Sequence, residues 1–110
     1  MPAKRNYGLA VDRTPTTLLG RAISHEIRIE ILDILLREKN IKSLDLSKKF
    51  KTTKSTIHHH LEMLKAADLV LLEYRVHYYE LLIPKPRRKL VKELVNLDHL
   101  LRLKTNHFLD

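Results

Sequence analysis

Between Ser43 and Leu82 the hydrophobic pattern of the chain changes twice, and few folds accommodate the result. Ser43 opens a short helix in which Leu44 and Phe50 are expected to point inward, while Ser47, Lys48 and Lys49 are polar. The run Lys51-Thr52-Thr53 breaks it, and Thr53 is placed to cap a further helix from Lys54 to about Ala67. Ile57, Leu61 and Leu64 form the inner stripe of that helix. At about 100° per residue from Ile57, Ser55, His59 and Glu62 lie near the opposite side, with Thr56 and His58 on the flanks and His60 nearer the apolar stripe. From Leu69 to Leu82 aliphatic, β-branched and aromatic residues predict two strands around a turn near Tyr74 to Val76, although that turn contains no Gly, Asn or Asp.

Two short helices joined by a tight polar turn and followed by a β-hairpin describe a winged helix-turn-helix. The flanking segments fit around it. Thr14-Pro15 reads as an N-cap with Pro at the first helical position, starting a helix to about Ile23, and Ser24 reads as the cap of the next. In that next helix Ile27, Ile31, Ile34 and Leu35 form a stripe, widened by Ile29, Leu32 and Leu36 until only Arg28, Glu30, Asp33 and Arg37 are polar. Such a helix is the expected centre of the domain. Asn40-Ile41-Lys42 is a short strand or a turn.

Pro84 and Pro86 end the hairpin, and a helix from Arg87 to His107 would be roughly 30 Å long. Leu90, Leu94, Leu97, Leu101 and Phe108 keep a heptad-like seam, flanked by Val91, Val95, Leu100 and Leu103. This is too apolar for a lone surface helix, so part is expected to cover the core and the rest a second copy of the chain, with a helix folded back on its own subunit as the alternative. The expected class is mainly α with a small β-hairpin: a basic arm over 1–14, flexible when free, a winged helix-turn-helix over 15–83 and a C-terminal dimerisation helix over 84–110.

The chain's 110 residues make one domain, with 21 Lys plus Arg against 13 Asp plus Glu and a formal net charge of +8. The absence of Cys excludes disulfides, thiol catalysis and thiolate metal sites. No apolar run approaches the roughly 20 residues of a membrane span, and the start of the chain lacks a secretory apolar segment, so the expectation is a soluble cytoplasmic protein without a membrane partner. The charge excess is uneven: Lys42 to Lys65 carries +4, and Lys85, Arg87, Arg88, Lys89 and Lys92 carry +5. A basic block around a helix-turn-helix points to double-stranded DNA. Lys54, Ser55, Thr56, His58 and His59 would face base edges in the major groove. Thr53 accompanies them, while Lys42, Lys48, Lys49, Lys51 and Lys65 would neutralise phosphates, and Arg75 with His77 would bring the wing to flanking DNA.

Two stretches carry a family likeness. Ser24-His25-Glu26-Ile27-Arg28-Ile29-Glu30-Ile31-Leu32, and the longer run from Lys54-Ser55-Thr56-Ile57-His58-His59-His60-Leu61 to Asp68-Leu69-Val70, resemble the ArsR-type winged-helix transcriptional repressors. The resemblance spans Leu19 to Leu82 and implies a homodimeric DNA-binding protein on an inverted-repeat operator. This chain differs in having Asp68 where the family has Gly, in a wing without Gly, and in Leu44-Asp45-Leu46 where many members carry a metal-sensing cysteine pair. Asp98-His99 and His107 do not reproduce the spacing of the zinc-binding members either.

No metal or other cofactor is expected. Consecutive His58, His59 and His60 point about 100° apart and cannot converge on one ion, and only His58 with Glu62 has ligand-compatible spacing. The imidazoles do point to pH sensitivity, with protonation favouring phosphate contact. The chain has no Gly-rich phosphate loop, no Cys and no convincing carboxylate pair, so it is not read as an enzyme. A winged helix used only as a protein-interaction module is the competing reading, and no effector can be named.

Overall fold

A computed structural model describes residues 14–109, with side chains described as far as Arg102. The basic arm with Lys4, Arg5 and Arg13 lies outside the described residues. Helix α1 (Pro15–Ala22) begins as its sequence predicts, Thr14 accepting from the Thr17 N–H at 3.3 Å. Helix α2 (Glu26–Glu38) does not begin at a Ser24 cap. Ser24 donates its hydroxyl to the Arg21 carbonyl at 2.8 Å and closes α1, while His25 Nδ1 caps α2 by accepting from the Ile27 N–H at 3.1 Å. The Arg28 and Ile29 N–H groups also point to the carbonyl of His25, which fixes the cap one residue later.

Helix α2 is buried through Arg28, Ile29, Ile31, Leu32, Ile34 and Leu35, as a central helix should be. Lys39 at a φ of 67° turns the chain into strand β1 (Asn40–Lys42). The sheet has three strands, not a hairpin alone. Strands β2 (Leu71–Tyr74) and β3 (Tyr79–Leu82) form the wing, and β1 pairs antiparallel with β3 in the order β1-β3-β2. Ile41 and Leu72 both sit opposite Leu81, so one face of the sheet closes over the core. The wing loop is Arg75 to Tyr78, later than the turn predicted at Tyr74 to Val76, and the Arg75 N–H closes it on the Tyr78 carbonyl at 2.7 Å. Tyr74 is held in the ladder by its pairing with Tyr79.

Helix α3 (Ser43–Phe50) buries Leu46 completely and packs Phe50 on the core, while Leu44 is exposed, contrary to expectation. Two residues are about 200° apart on a helix, so once Leu46 faces in, Leu44 faces out. Helix α4 (Lys54–Ala66) buries Ile57, His60, Leu61 and Leu64. It ends with Asp68 in the left-handed region at φ 61°, where the Leu69 N–H reaches the Leu64 carbonyl at 3.0 Å. Asp thus takes the position that Gly would fill without strain.

A short 3-10 turn (Lys85–Arg87) leads into helix α5 (Arg88–Leu109). The residues of α5 that enter the core are Val91 and Val95, with Leu90 and Leu94 half-buried beside them against the same core. The predicted seam therefore divides. Its first two leucines serve the subunit's own packing, Leu97 and Leu101 are exposed, and Phe108 lies beyond the described side chains. The cations that open α5 oppose its dipole. Two of them have local partners: Arg87 lies 3.7 Å from the Asp68 carboxylate, and Arg88 reaches the Leu36 carbonyl near the end of α2. Among the described residues no helix is long and apolar enough to cross a membrane.

Candidate nucleic-acid interface

The angle between α3 and α4 is set by a few backbone and hydroxyl groups. Lys51 takes the left-handed conformation at φ 51°, and the Thr52 N–H returns to the Ser47 carbonyl at 3.1 Å. Thr53 then accepts from the Thr56 N–H at 3.2 Å and donates to the Thr56 hydroxyl at 3.0 Å. Its hydroxyl also lies 3.3 Å from that of Ser55. Thr53 is therefore committed to the helix start. Beyond it Lys54, Ser55, Thr56, His58 and His59 are all exposed on the first two turns of α4, while Ile57, His60 and Leu61 are buried on the other side. The sequence-derived reading face is thus one continuous surface.

The basic residues around this face differ in availability. Lys48, Lys51 and Lys54 are exposed and form no ion pair among the described residues. Lys49 lies 3.5 Å from Glu38, and Lys65 lies 3.0 Å from Glu62, whose carboxyl is held below its usual range by that hydrogen bond and charge. Lys42 stands over the Tyr78 ring, 4.6 Å from its centroid. On the wing, Arg75 is engaged by two carboxylates, Glu73 at 2.9 Å and Glu80 at 3.0 Å, and Glu80 above all raises its pKa. His77 is exposed, and so is Val76 at 76 %. Tyr74 donates its hydroxyl to the Val76 carbonyl at 3.1 Å and lies against Tyr79 with ring centroids 5.1 Å apart, which stiffens the loop.

Residues 25–71, the segment from the cap of α2 to the start of the wing, match the model of the bacterial regulatory protein ArsR family. Over this segment the chain is similar to ArsR-type regulators. Three solved structures share the fold. AntR, described as an antimony-specific transcriptional repressor, has a TM-score of 0.66 at 14 % identity over 97 % of this chain and 99 % of its own. HlyU from Vibrio cholerae has a TM-score of 0.63 at 23 % identity, covering 76 % of this chain and 90 % of its own. The transcriptional repressor PagR of Bacillus anthracis has a TM-score of 0.60 at 20 % identity, covering 72 % and 90 %. No curated sequence relative matches. The match and the shared fold support a DNA-binding transcriptional regulator of winged helix-turn-helix architecture.

Against the ArsR-type pattern that this chain resembles, helix α3 is unusual for metal sensing. Leu44 is exposed, Leu46 is buried in the core, and Asp45 between them is the one potential oxygen donor. Among the described residues no group of three His, Asp or Glu side chains comes together to hold an ion. His58 and His59 face solvent while His60 faces inward, so the histidine run separates as its helical spacing predicts. The donor set does not fit a metal at these places.

One functional feature escapes a reading of polar faces. Arg28, counted among the polar residues of α2, is only 8 % exposed and donates from Nε to His60 Nδ1 at 3.0 Å. Its Nη1 donates to the Arg21 carbonyl at the end of α1. The signal was available in the spacing, because Arg28, Leu32 and Leu35 fall at i, i+4 and i+7 on the buried stripe. Burial, then the nearby His25, Arg28 and His59, holds the His60 imidazole below its ordinary pKa.

Proposed function

We propose that this regulator is a homodimeric repressor that occupies an inverted-repeat operator, with α4 in the major groove of each half-site and the wing on flanking DNA. The carrying observation is the exposed group Lys54, Ser55, Thr56, His58 and His59 at the N-terminal half of a helix whose far side is buried. Hydroxyl and imidazole groups both donate and accept, so they discriminate bases without the strong guanine preference of Arg. Lys48 and Lys51, exposed beside that helix, supply sequence-independent attraction to phosphates. A DNA dyad requires two reading heads. The exposed Leu97, Leu100 and Leu101, at 53 %, 58 % and 55 %, support α5 as the surface that joins them. A cytoplasmic location accords with this role.

The test is a gel shift on the DNA directly upstream of the chain's own coding sequence, over a series of salt concentrations. Tight binding that weakens with salt and exceeds binding to unrelated duplex is expected. Equal affinity for both duplexes overturns the reading head, and no salt-sensitive binding at all points instead to a protein-interaction module.

A further inference from the structure

His60 belongs to the recognition helix but faces away from the proposed DNA surface, 4 % exposed. An arginine Nε–H can only donate, so His60 Nδ1 must present a lone pair to Arg28, and the neutral ring keeps its single proton on Nε2. A second proton would lie on Nδ1, on the line to Arg28 Nε 3.0 Å away, and would bring two cations into contact in a buried place.

Among the described residues no surrounding group compensates. From α2 the ring faces Arg28 and the capping His25, whose ring centroid is 4.6 Å away, and from α4 itself it faces His59 at 5.9 Å. Helix α1 contributes the Arg21 carbonyl, which Arg28 already holds. Among the described residues no carboxylate of α1, α2 or α3 acts on the ring. One guanidinium thus ties the end of α1, the start of α2 and the middle of α4 together, and it does so only while His60 is neutral.

We propose that the Arg28 to His60 contact is an acid-released latch: proton uptake at His60 detaches the recognition helix from α1 and α2 and lowers affinity for duplex DNA. This regulation rests on the DNA reading above. It opposes the effect of the exposed His58 and His59, whose protonation adds positive charge at the reading face and strengthens attraction to phosphates.

The experiment compares the wild-type chain with His60→Asn, whose side-chain oxygen retains an acceptor near the Nδ1 position and cannot titrate in this range. Dissociation constants are measured at fixed salt at about pH 8 and about pH 5.5, on a labelled duplex enriched from a random pool by this chain at the higher pH. Surface imidazoles contribute alike to both proteins, so the ratio of the two pH effects isolates His60. The latch requires the wild type to lose about three- to tenfold more affinity on acidification than H60N, given at most tenfold per pH unit for one proton. Equal pH effects overturn it, and absence of duplex binding at the higher pH overturns the DNA reading itself. Imidazole NMR of the free wild-type chain gives a second measurement that stands even where H60N fails to fold. His60 must titrate together with shifts of the α4 amides and of the Arg28 Nε–H, and titration that leaves those signals unmoved overturns the latch.

Discussion

Arg75 donates to Glu80 from both Nε and Nη2, at 3.2 and 3.0 Å, across the wing of the hairpin. Glu80 is the cross-strand partner of Glu73, and two carboxylates directly opposite repel unless a cation lies between them. Arg75, bonded also to Glu73, supplies that cation.

This changes what an arginine substitution should do. Arg75→Ala removes a positive charge and leaves Glu73 and Glu80 bare where DNA would approach. Affinity should fall about tenfold on operator and random duplex alike, with a shallower salt dependence. Glu80→Gln should act oppositely, freeing the guanidinium for phosphate and raising affinity a few-fold on both duplexes. Fluorescence anisotropy over a salt series decides, and a loss confined to the operator would make Arg75 a reader of sequence.

The reading residues should separate from the anchoring ones. Ser55→Ala and His59→Ala remove groups that the proposed docking places at base edges, so each should cost about 1–3 kcal/mol on the operator and little on random DNA. Lys48→Ala or Lys51→Ala should weaken both duplexes equally. Lys49 should matter less than either, since Glu38 already faces its ammonium at 3.5 Å. Equal losses on both duplexes for all of these variants would dissolve the distinction.

Much of this was legible in the chain because period and caps agreed. Thr53 before Ile57, Leu61 and Leu64 places both the start and the buried side of α4, and therefore its outer face. What escaped depends on neighbours that no local pattern names. Asn40-Ile41-Lys42 reads locally as a short strand or a turn, and only its pairing with β3, far along the chain, decides for the strand. In α5, Leu90 and Val91 are equally apolar, and only the position of the core decides that Val91 enters it fully while Leu97 does not. Arg28 counts as polar in the sequence, and its burial follows from its place on the stripe and from a nearby acceptor, His60, that makes it tolerable.

The division within α5 gives a test of assembly. Leu97→Glu with Leu101→Glu should convert the proposed dimer to a monomer of unchanged fold, because both side chains are more than half exposed. Val95→Ala, at a fully packed position, should instead cost about 1–3 kcal/mol of stability and leave the oligomeric state intact. Sedimentation and thermal melting read the two effects separately. A double glutamate variant that melts far below the wild type while keeping its mass would place those leucines in the subunit's own core.

Stability should also follow the proton equilibrium of His60, with a sign fixed by its environment. Burial and three neighbouring basic groups hold its folded-state pKa below 6.5, so the unfolded chain takes up a proton first on acidification. The contribution is fully present above the ordinary imidazole pKa. It is lost as pH falls through the interval between 6.5 and the lower folded value, and no further loss follows below that value. Glu62, with a depressed carboxyl pKa, has the same sign but acts in a window that begins lower, from 4.5 downward. The thermal midpoint of the wild type should therefore decline between about pH 7 and pH 5.5, and that of His60→Asn should decline less over the same interval. Parallel decline of both proteins would show that acidification acts on the fold through other histidines, and a midpoint that rises on acidification would reverse the sign assigned to His60.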